Sequence, residues 1–482
     1  MFRRRMAAAT SGASLRRWVC GALGALALTL AVLVSASPSA GQDEPTAAQL
    51  SRSGGSVPRV PYLRDEERTY DRLKALLQSK SHLDRLAGAT NLARCSLTGW
   101  KGTREQADEL ATLALRDLYW AVRYEGAKFA YFRGKDGAGI IPALVAALDT
   151  EEPLVRGQAA LALERTGGVD EALPRLRKML AAADQPLAVA TALSATDAGR
   201  KALSDLASSA NPSVRLFSNA GLIKAGGASA KAATEPYLQD LRAALAGKDT
   251  ATVIQACKSV DLTAGGAAGA GREIAALLSH PDLGVRLAAA EAILQSAPKD
   301  DAVVSALIKA LDDKEIRSKC VITLGRIGQN ARPALPALIR LMEQDRSSRY
   351  VVIVYALPGI DPQSADALAA LLRLLKASID EGRPDEHVII ALGGYGPTAK
   401  GAVPDLVKAM GVKIGHPYHV PAAIWTLGQI GPDAASARLT IEEYLRGPFE
   451  RLAATALRRI TSNDPAAMPP PQRKYPGPGL DY

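Results

Sequence analysis

Two histidines bracket a Pro-Tyr pair in His416-Pro417-Tyr418-His419, and His387 stands 29 residues before the first of them. Imidazoles at i and i+3 can share a metal, but a zinc or iron site needs three or four ligands that converge. A structural reading competes. His416-Pro417 occupies the place that Glu152-Pro153, Asn211-Pro212 and His280-Pro281 occupy elsewhere, each just ahead of an apolar pattern with helical spacing. Proline is tolerated in the first turn of a helix, where its missing N–H costs nothing, and the residue before it belongs to the turn. His416 is therefore read as a turn residue, and neither a metal nor another cofactor is expected.

Other chemistry-bearing patterns fall the same way. Gly265-Gly266-Ala267-Ala268-Gly269-Ala270-Gly271 has the glycine density of a phosphate loop. Such a loop needs Lys and Ser or Thr after its last glycine; here Arg272 and Glu273 follow, and no strand precedes, so an inter-helix turn is expected. No Gly-x-Ser-x-Gly elbow occurs. Cys20 lies in an apolar N-terminal run, while Cys95, Cys257 and Cys320 are far apart within helical apolar patterns. They read as small core residues rather than disulfide partners or nucleophiles. No catalytic residue is assigned, and the chain is not expected to be an enzyme.

Two features could bind a partner. Lys178, Lys309, Arg340, Arg373 and Lys408 each precede two apolar residues at one position of a recurring helix. Stacked, the last four would form a basic stripe able to hold an acidic protein or an anionic polymer. The plainer alternative is a solvated helix position whose long cations cover apolar surface. The second feature is Tyr119, Trp120, Tyr124, Phe129, Tyr131 and Phe132, threaded with Arg116, Arg123, Lys128 and Arg133. Aromatic residues and arginine dominate binding hot spots, which makes Trp120, Tyr124 and Tyr131 candidate contacts. The same rings could equally thicken a core.

The elements that would position these residues come from a repeat. Residues 149–182 carry Leu154-Val155-Arg156, an alanine-rich helix, Gly167-Gly168, and Ala172-Leu173-Pro174 opening a second helix. The pattern returns from Glu315-Ile316-Arg317 through Leu324-Gly325-Arg326-Ile327-Gly328 to Ala334-Leu335-Pro336. Val122-Arg123, Val214-Arg215 and Val285-Arg286 mark further first helices. Glycine pairs such as Gly226-Gly227 and Gly393-Gly394 mark the turns, and Pro142, Pro174, Pro236, Pro336 and Pro404 mark the starts of second helices. This gives about eleven units at a spacing of roughly 30–38 residues, degenerate near 185–210 and 248–279. Phe449 to Ile460 would cover the last unit's apolar face. The Val-Arg arginines recur too often to be a site and are assigned to the framework.

The Val-Arg, Leu-Gly-x-Ile-Gly and Ala-x-Pro-x-Leu elements resemble the HEAT-repeat superfamily, in particular the HEAT-like repeats of the phycobilisome-lyase type. The resemblance covers about four-fifths of the chain and implies an all-α fold, a right-handed superhelical solenoid of about eleven two-helix repeats. It implies ladders of side-chain contacts between neighbouring units and a surface used mostly for protein–protein contact. Two enzyme classes carry such repeats. The iron-dependent deoxyhypusine hydroxylases hold metal with His-Glu dipeptides, whereas here only the reversed Glu386-His387 occurs. Chromophore-lyase activity has no support beyond the repeat itself.

Arg3, Arg4, Arg5, Arg16 and Arg17, followed by an apolar run from Trp18 to Val34 and then small residues, resemble a secretory signal or an N-terminal membrane anchor over 1–40. Without that segment the chain carries 54 basic against 49 acidic residues, too even a balance to favour nucleic acid. A flexible linker is expected over 41–64, the solenoid over 65–462, and a Pro-rich disordered tail over 463–482. The sequence reading is thus a non-catalytic protein-binding scaffold or adaptor, exported to the bacterial envelope and periplasmic or secreted or anchored by its N-terminal segment. The alternatives are a binder of an anionic polymer or membrane surface, and a lyase-like enzyme.

Overall fold

The computed structural model describes residues 60–462, apart from 99, 264, 297–299, 345–349 and 414–417. The segments read as signal or anchor and as tail lie outside the described residues, as do Cys20 and His416. Among the described residues all regular structure is helical. No helix among them is long and apolar enough to cross a membrane.

The chain forms two compact units, Met1–Ala233 and Thr234–Tyr482. In the first unit α1 (Tyr70–Leu77) precedes four helix pairs. These are α2 (His82–Thr98) with α3 (Arg104–Leu115), and α4 (Trp120–Arg133) with α5 (Ile141–Ala147). Then come α6 (Pro153–Thr166) with α7 (Val169–Ala181), and α8 (Pro186–Leu193) with α9 (Asp197–Leu206). α10 (Pro212–Ala225) follows, and the division between the units falls inside α11 (Gly227–Leu245). The second unit continues with α12 (Thr250–Ser259) and α13 (Gly271–Ala276), α14 (Leu283–Ser296) and α15 (Asp301–Ala310), and α16 (Arg317–Ile327) and α17 (Leu335–Gln344). It ends with α18 (Tyr350–Ile360) and α19 (Ala365–Asp380), α20 (Glu386–Gly393) and α21 (Val403–Met410), α22 (His419–Ile430) and α23 (Arg438–Glu442), and α24 (Glu450–Thr461).

In the first unit the first helices of successive pairs, α2, α4, α6, α8 and α10, pack side by side as one layer. In the second unit α12, α14, α16, α18, α20, α22 and α24 do the same. Each unit is therefore a stretch of all-α solenoid. Its core runs along the stack: Leu324, Leu357, Leu392 and Leu427 occupy one position on α16, α18, α20 and α22, and all four are fully buried.

The Val-Arg pairs explain how one unit seats on the next. Valine points inward, with Val122, Val155, Val214 and Val285 fully buried. The arginine beside it reaches back. Arg156 Nη1 donates to the carbonyls of Thr150 and Glu151 at 2.8 and 2.7 Å, six and five residues earlier. Arg286 repeats this on His280 and Pro281 and Arg215 on Ser209 and Ala210; Arg85, which follows Asp84 rather than a valine, does the same on Ser79 and Lys80. The other edge of the guanidinium meets an acid one unit further on. Arg85 binds Asp117, Arg156 binds Asp184 and Arg286 binds Asp313, at 2.7 to 2.8 Å. A planar fork with five donors suits this double duty, which a lysine point charge could not perform.

Between some pairs the turn is itself ordered. Gly134–Ile140, Gly328–Ala334, Gly396–Ala402 and Gly431–Ala437 are seven-residue 3-10 turns, each opened by a glycine at φ between 55° and 74°. Residues three apart eclipse in a 3-10 turn. Ala331 and Ala334, Ala399 and Ala402, and Ala434 and Ala437 are accordingly all fully buried. Ala267 and Ala270 repeat that spacing in the glycine run once compared with a phosphate loop, and both are fully buried. That run is a packed turn.

Several expectations need correction. Pro142, Pro336 and Pro404 do stand second in their helices, but Pro174 and Pro236 lie inside α7 and α11. α7 begins at Val169, with only Gly168 between it and the left-handed Gly167, so its proline arrives a full turn late. Gly393 is helical rather than a turn residue; the positive φ belongs to Gly396. The degenerate stretches fold as the pairs α8–α9 and α12–α13, the latter broken by 3-10 segments. Residues 61–63, placed in the linker, are tied to α2. Asn91 accepts from Leu63 N at 2.9 Å and donates to Pro61 O at 3.1 Å. Arg94 stacks over the Tyr62 ring at 4.1 Å.

Replacing Arg286 by Ala should lower urea stability by about 2 kcal/mol, because charged hydrogen bonds on partly buried partners are lost. Arg286→Lys should recover little of it. Burial raises the Asp313 carboxyl, but the Glu315 N–H and Arg286 outweigh that and hold it below its ordinary value of 3.8. Its contribution is therefore present above that value and lost as pH falls below it, so Asp313→Asn should flatten the acid side of the stability profile.

Candidate functional site

The residues expected to bind a partner divide by layer. Lys178 is exposed on α7 of the first unit, and Lys309, Arg340, Arg373 and Lys408 are exposed on α15, α17, α19 and α21 of the second. Acids from the same helices interrupt this stripe. Arg373 Nη2 donates to Glu343 Oε1 at 2.6 Å, and Lys408 lies 3.5 Å from Asp405. Exposed pairs of this kind stabilise little, but they cancel much of the positive field that a polyanion would feel.

The aromatic group of α4 is mostly interior. Tyr119, Trp120 and Phe129 are 4%, 6% and 0% exposed, and Tyr119 packs edge-on against His82 and Trp120. Trp120 thus belongs to the core of the first unit and offers no surface for a partner. Tyr124 and Tyr131 are half-buried. Burial and the neighbouring Glu125 push the Tyr124 phenol up to about 12. Arg165 lies over the Tyr131 ring at 5.5 Å. These contacts fasten α6 to α4.

Of the three histidines singled out, His387 and His419 lie among the described residues. His387 Nδ1 is 2.9 Å from the Tyr355 hydroxyl, and the two rings meet edge to face. His419 is buried, with Nε2 3.1 Å from Val412 O, and burial lowers its pKa. Among the described residues no three His, Cys, Asp or Glu side chains gather as a metal set would. Cys95, Cys257 and Cys320 are buried and free. Desolvation pushes the Cys257 and Cys320 thiols up to about 12, so neither supplies a thiolate at neutral pH.

A different surface stands out on the first layer of the second unit. Two residues before each core leucine of α16, α18, α20 and α22 stands Ile322, Tyr355, Ile390 or Trp425. That position points away from the second layer. Ile322 is 37% and Tyr355 40% exposed, Ile390 is half-buried, and Trp425 is 9% exposed. Neighbouring helices hold the same position with Glu291 on α14 and Thr455 on α24. Ile322, Tyr355 and Ile390 form an apolar ridge across three helices, and the buried Trp425 closes its end. Its border is polar and already paired: Lys319 of α16 binds Glu291 of α14, and His387 of α20 meets Tyr355 of α18. An apolar strip within a polar margin is the anatomy of a protein interface.

Trp425 is the most covered member because Gly393 leaves a slot for it. A Cβ at Gly393 would overlap the indole. Thr426, fully buried beside it, donates to Ile389 O at 2.7 Å and fixes α22 against α20. The ridge was legible in the sequence as the residue before Thr323-Leu324, Ala356-Leu357, Ala391-Leu392 and Thr426-Leu427. No local cluster of charge or aromatics marks it, since its members lie 33 to 35 residues apart.

A family model described as HEAT repeats matches residues 107–197 and 272–357. No curated protein matches the chain. Among solved structures, the chain is similar to an engineered protein at 19% identity, covering 75% of this chain and 98% of that one, with a TM-score of 0.32. It is also similar to Kap121p bound to Pho4p at 13% identity, covering 82% and 54%, with a TM-score of 0.42. For importin beta the values are 11%, 81%, 62% and 0.44. The chain spans only about half of Kap121p and under two thirds of importin beta. None of these likenesses says what this chain binds.

Gly393→Ala should cost about 1–3 kcal/mol by overpacking. It should also expel the indole of Trp425, giving a red-shifted tryptophan emission that Gly401→Ala, in open space, does not produce.

Proposed function

We propose that this HEAT-repeat solenoid is a non-catalytic scaffold that binds a protein partner through the ridge of Ile322, Tyr355 and Ile390. The observation that carries the reading is the exposure of Ile322 and Tyr355 at adjoining steps of one row. Singly exposed apolar residues are ordinary, whereas an aligned set within a polar border marks a contact surface. The ridge also sits on helices braced to one another, so a partner would meet it without reorganising it.

The reading includes export. The arginine-rich start and apolar run of residues 1–40 would carry the solenoid across the cytoplasmic membrane of a bacterium, leaving it periplasmic, secreted or held by that segment. The narrower likeness to phycobilisome-lyase repeats belongs to this proposal as a kinship of repeat form and brings no catalytic residue with it. The basic stripe is the weaker binding surface, because Glu343 and Asp405 already face two of its cations.

Comparative capture from the native host tests the choice. Ile322→Glu with Tyr355→Ala should reduce recovery of the partner more than tenfold, the loss expected from removing an interface centre. Charge reversal at Lys309, Arg340, Arg373 and Lys408 should leave recovery within a factor of about two and its salt dependence unchanged. The opposite pattern would transfer the function to the stripe.

A further inference from the structure

We infer that two copies of this chain pair edge to edge, antiparallel, through a row of leucines at the entry turns of α2, α4, α6 and α8. The row lies in the first unit and does not depend on the ridge of the second. Leu83, Leu154 and Leu187 are each the second residue of their helix. In α4 the buried Ala121 takes that place, and Leu118 stands in the turn just before the helix. Leu118 is 93% exposed, Leu83 and Leu154 are each 47% exposed, and Leu187 is half-buried.

The contacts between helices put these leucines on one edge. Arg85 reaches from the first turn of α2 to Asp117 before α4, and Arg156 from the first turn of α6 to Asp184 before α8. Arg165 over the Tyr131 ring sets the last turns of α6 and α4 side by side, so their first turns are neighbours as well. Axes 8–10 Å apart make the row about 25–30 Å long. It stops at α10, whose second residue is Ser213.

Singly exposed leucines are ordinary, but four in register form a contact surface. The charges around them select the occupant. At the α4 turn Arg116 is exposed. Arg123 there holds the carbonyls of Asp117 and Leu118 but lacks the carboxylate that Arg85 and Arg156 each meet. At the α6 turn Glu151 and Glu152 have no ion-pair partner among the described residues. Elsewhere the edge is balanced: Lys80 offsets Asp84, Arg175 binds Asp149 and Arg156 binds Asp184. Basic charge thus sits at the second step of the row and acidic charge at the third. A second copy, turned about a two-fold axis between those steps, lays the α4 turn of each chain on the α6 turn of the other. Leu118 then meets Leu154, Arg116 meets Glu151, and Leu83 meets Leu187, each contact forming twice. Such self-complementarity is what an isologous interface requires.

Sedimentation velocity of the full chain should show a concentration-dependent dimer that weakens as salt is raised. Leu118→Glu strikes both central leucine contacts at once and should raise the dissociation constant more than tenfold. Leu439→Glu, at a leucine of the second unit that is 76% exposed, should leave it unchanged. Arg116→Glu and Glu151→Arg should each weaken pairing about fivefold by setting like charges face to face. Mixed in equal amounts, these two variants should pair with each other as tightly as the original chain, because both charge contacts are then restored. Each substituted side chain is exposed, so far-UV circular dichroism should not change. A chain that stays monomeric at its highest soluble concentration overturns the inference. So does a dimer that Leu118→Glu leaves intact, as association through the N-terminal apolar segment would be. A mixture no better paired than its two components overturns it too, since antiparallel pairing requires the rescue.

Discussion

The arginine of the Val-Arg pair is the contact on which the remaining structure depends. A helix pair in a solenoid cannot cover its own apolar face, so it is stable only when seated on its neighbours. Apolar packing alone leaves that seating free to slide, because one alanine-rich surface resembles the next. Arg156 removes the freedom by gripping two carbonyls of its own entry turn and the Asp184 carboxylate of the following unit. Arg85 and Arg286 do the same with Asp117 and Asp313. Asp117 and Asp313 in turn accept the backbone N–H groups of Tyr119 and Glu315, so one carboxylate both shapes a turn and receives the previous unit. Register at α2, α6 and α14 follows from these braces, while Thr426 on Ile389 O fixes α22 against α20.

Once register is set, a residue's place in the repeat decides whether it meets core, neighbour or water. The leucines of α16, α18, α20 and α22 become a continuous buried column, and the residues two positions earlier become a continuous outward row. A surface of this kind has no local sequence signature. It is assembled from side chains in three separate helices, each of which alone would be an unremarkable apolar residue at the surface.

Much of the framework could be read beforehand because it depends on local chemistry. The inward valines, the arginine bonds to their own entry turns, the cap at Gly167 and the prolines at 142, 336 and 404 act within a few residues of themselves. Cys95, Cys257 and Cys320 sat in apolar helical patterns and are buried as that spacing required. The misreadings also have physical causes. Pro174 and Pro236 follow no seven-residue 3-10 turn, so their helices start early and enclose them. Gly393 was taken for a turn residue because glycine pairs usually end helices, yet its task is to leave room for the indole of the next helix. Trp120 looked like an anchor by composition, but the surrounding helices close over it.

The sequence by itself determined the all-α repeat, since helical periodicity, turn residues and the recurring arginine are properties of short segments. It also carried the glycine run, whose Ala267 and Ala270 fold into a packed turn. Only the tertiary structure decided which apolar residues align on one face of the stack. Ile322, Tyr355, Ile390 and Trp425 form one row, whereas the cations of the expected stripe lie among acids that neutralise part of it. The reason is that exposure and alignment belong to the stack: they arise when helices far apart in the chain are braced side by side, and no single helix contains them.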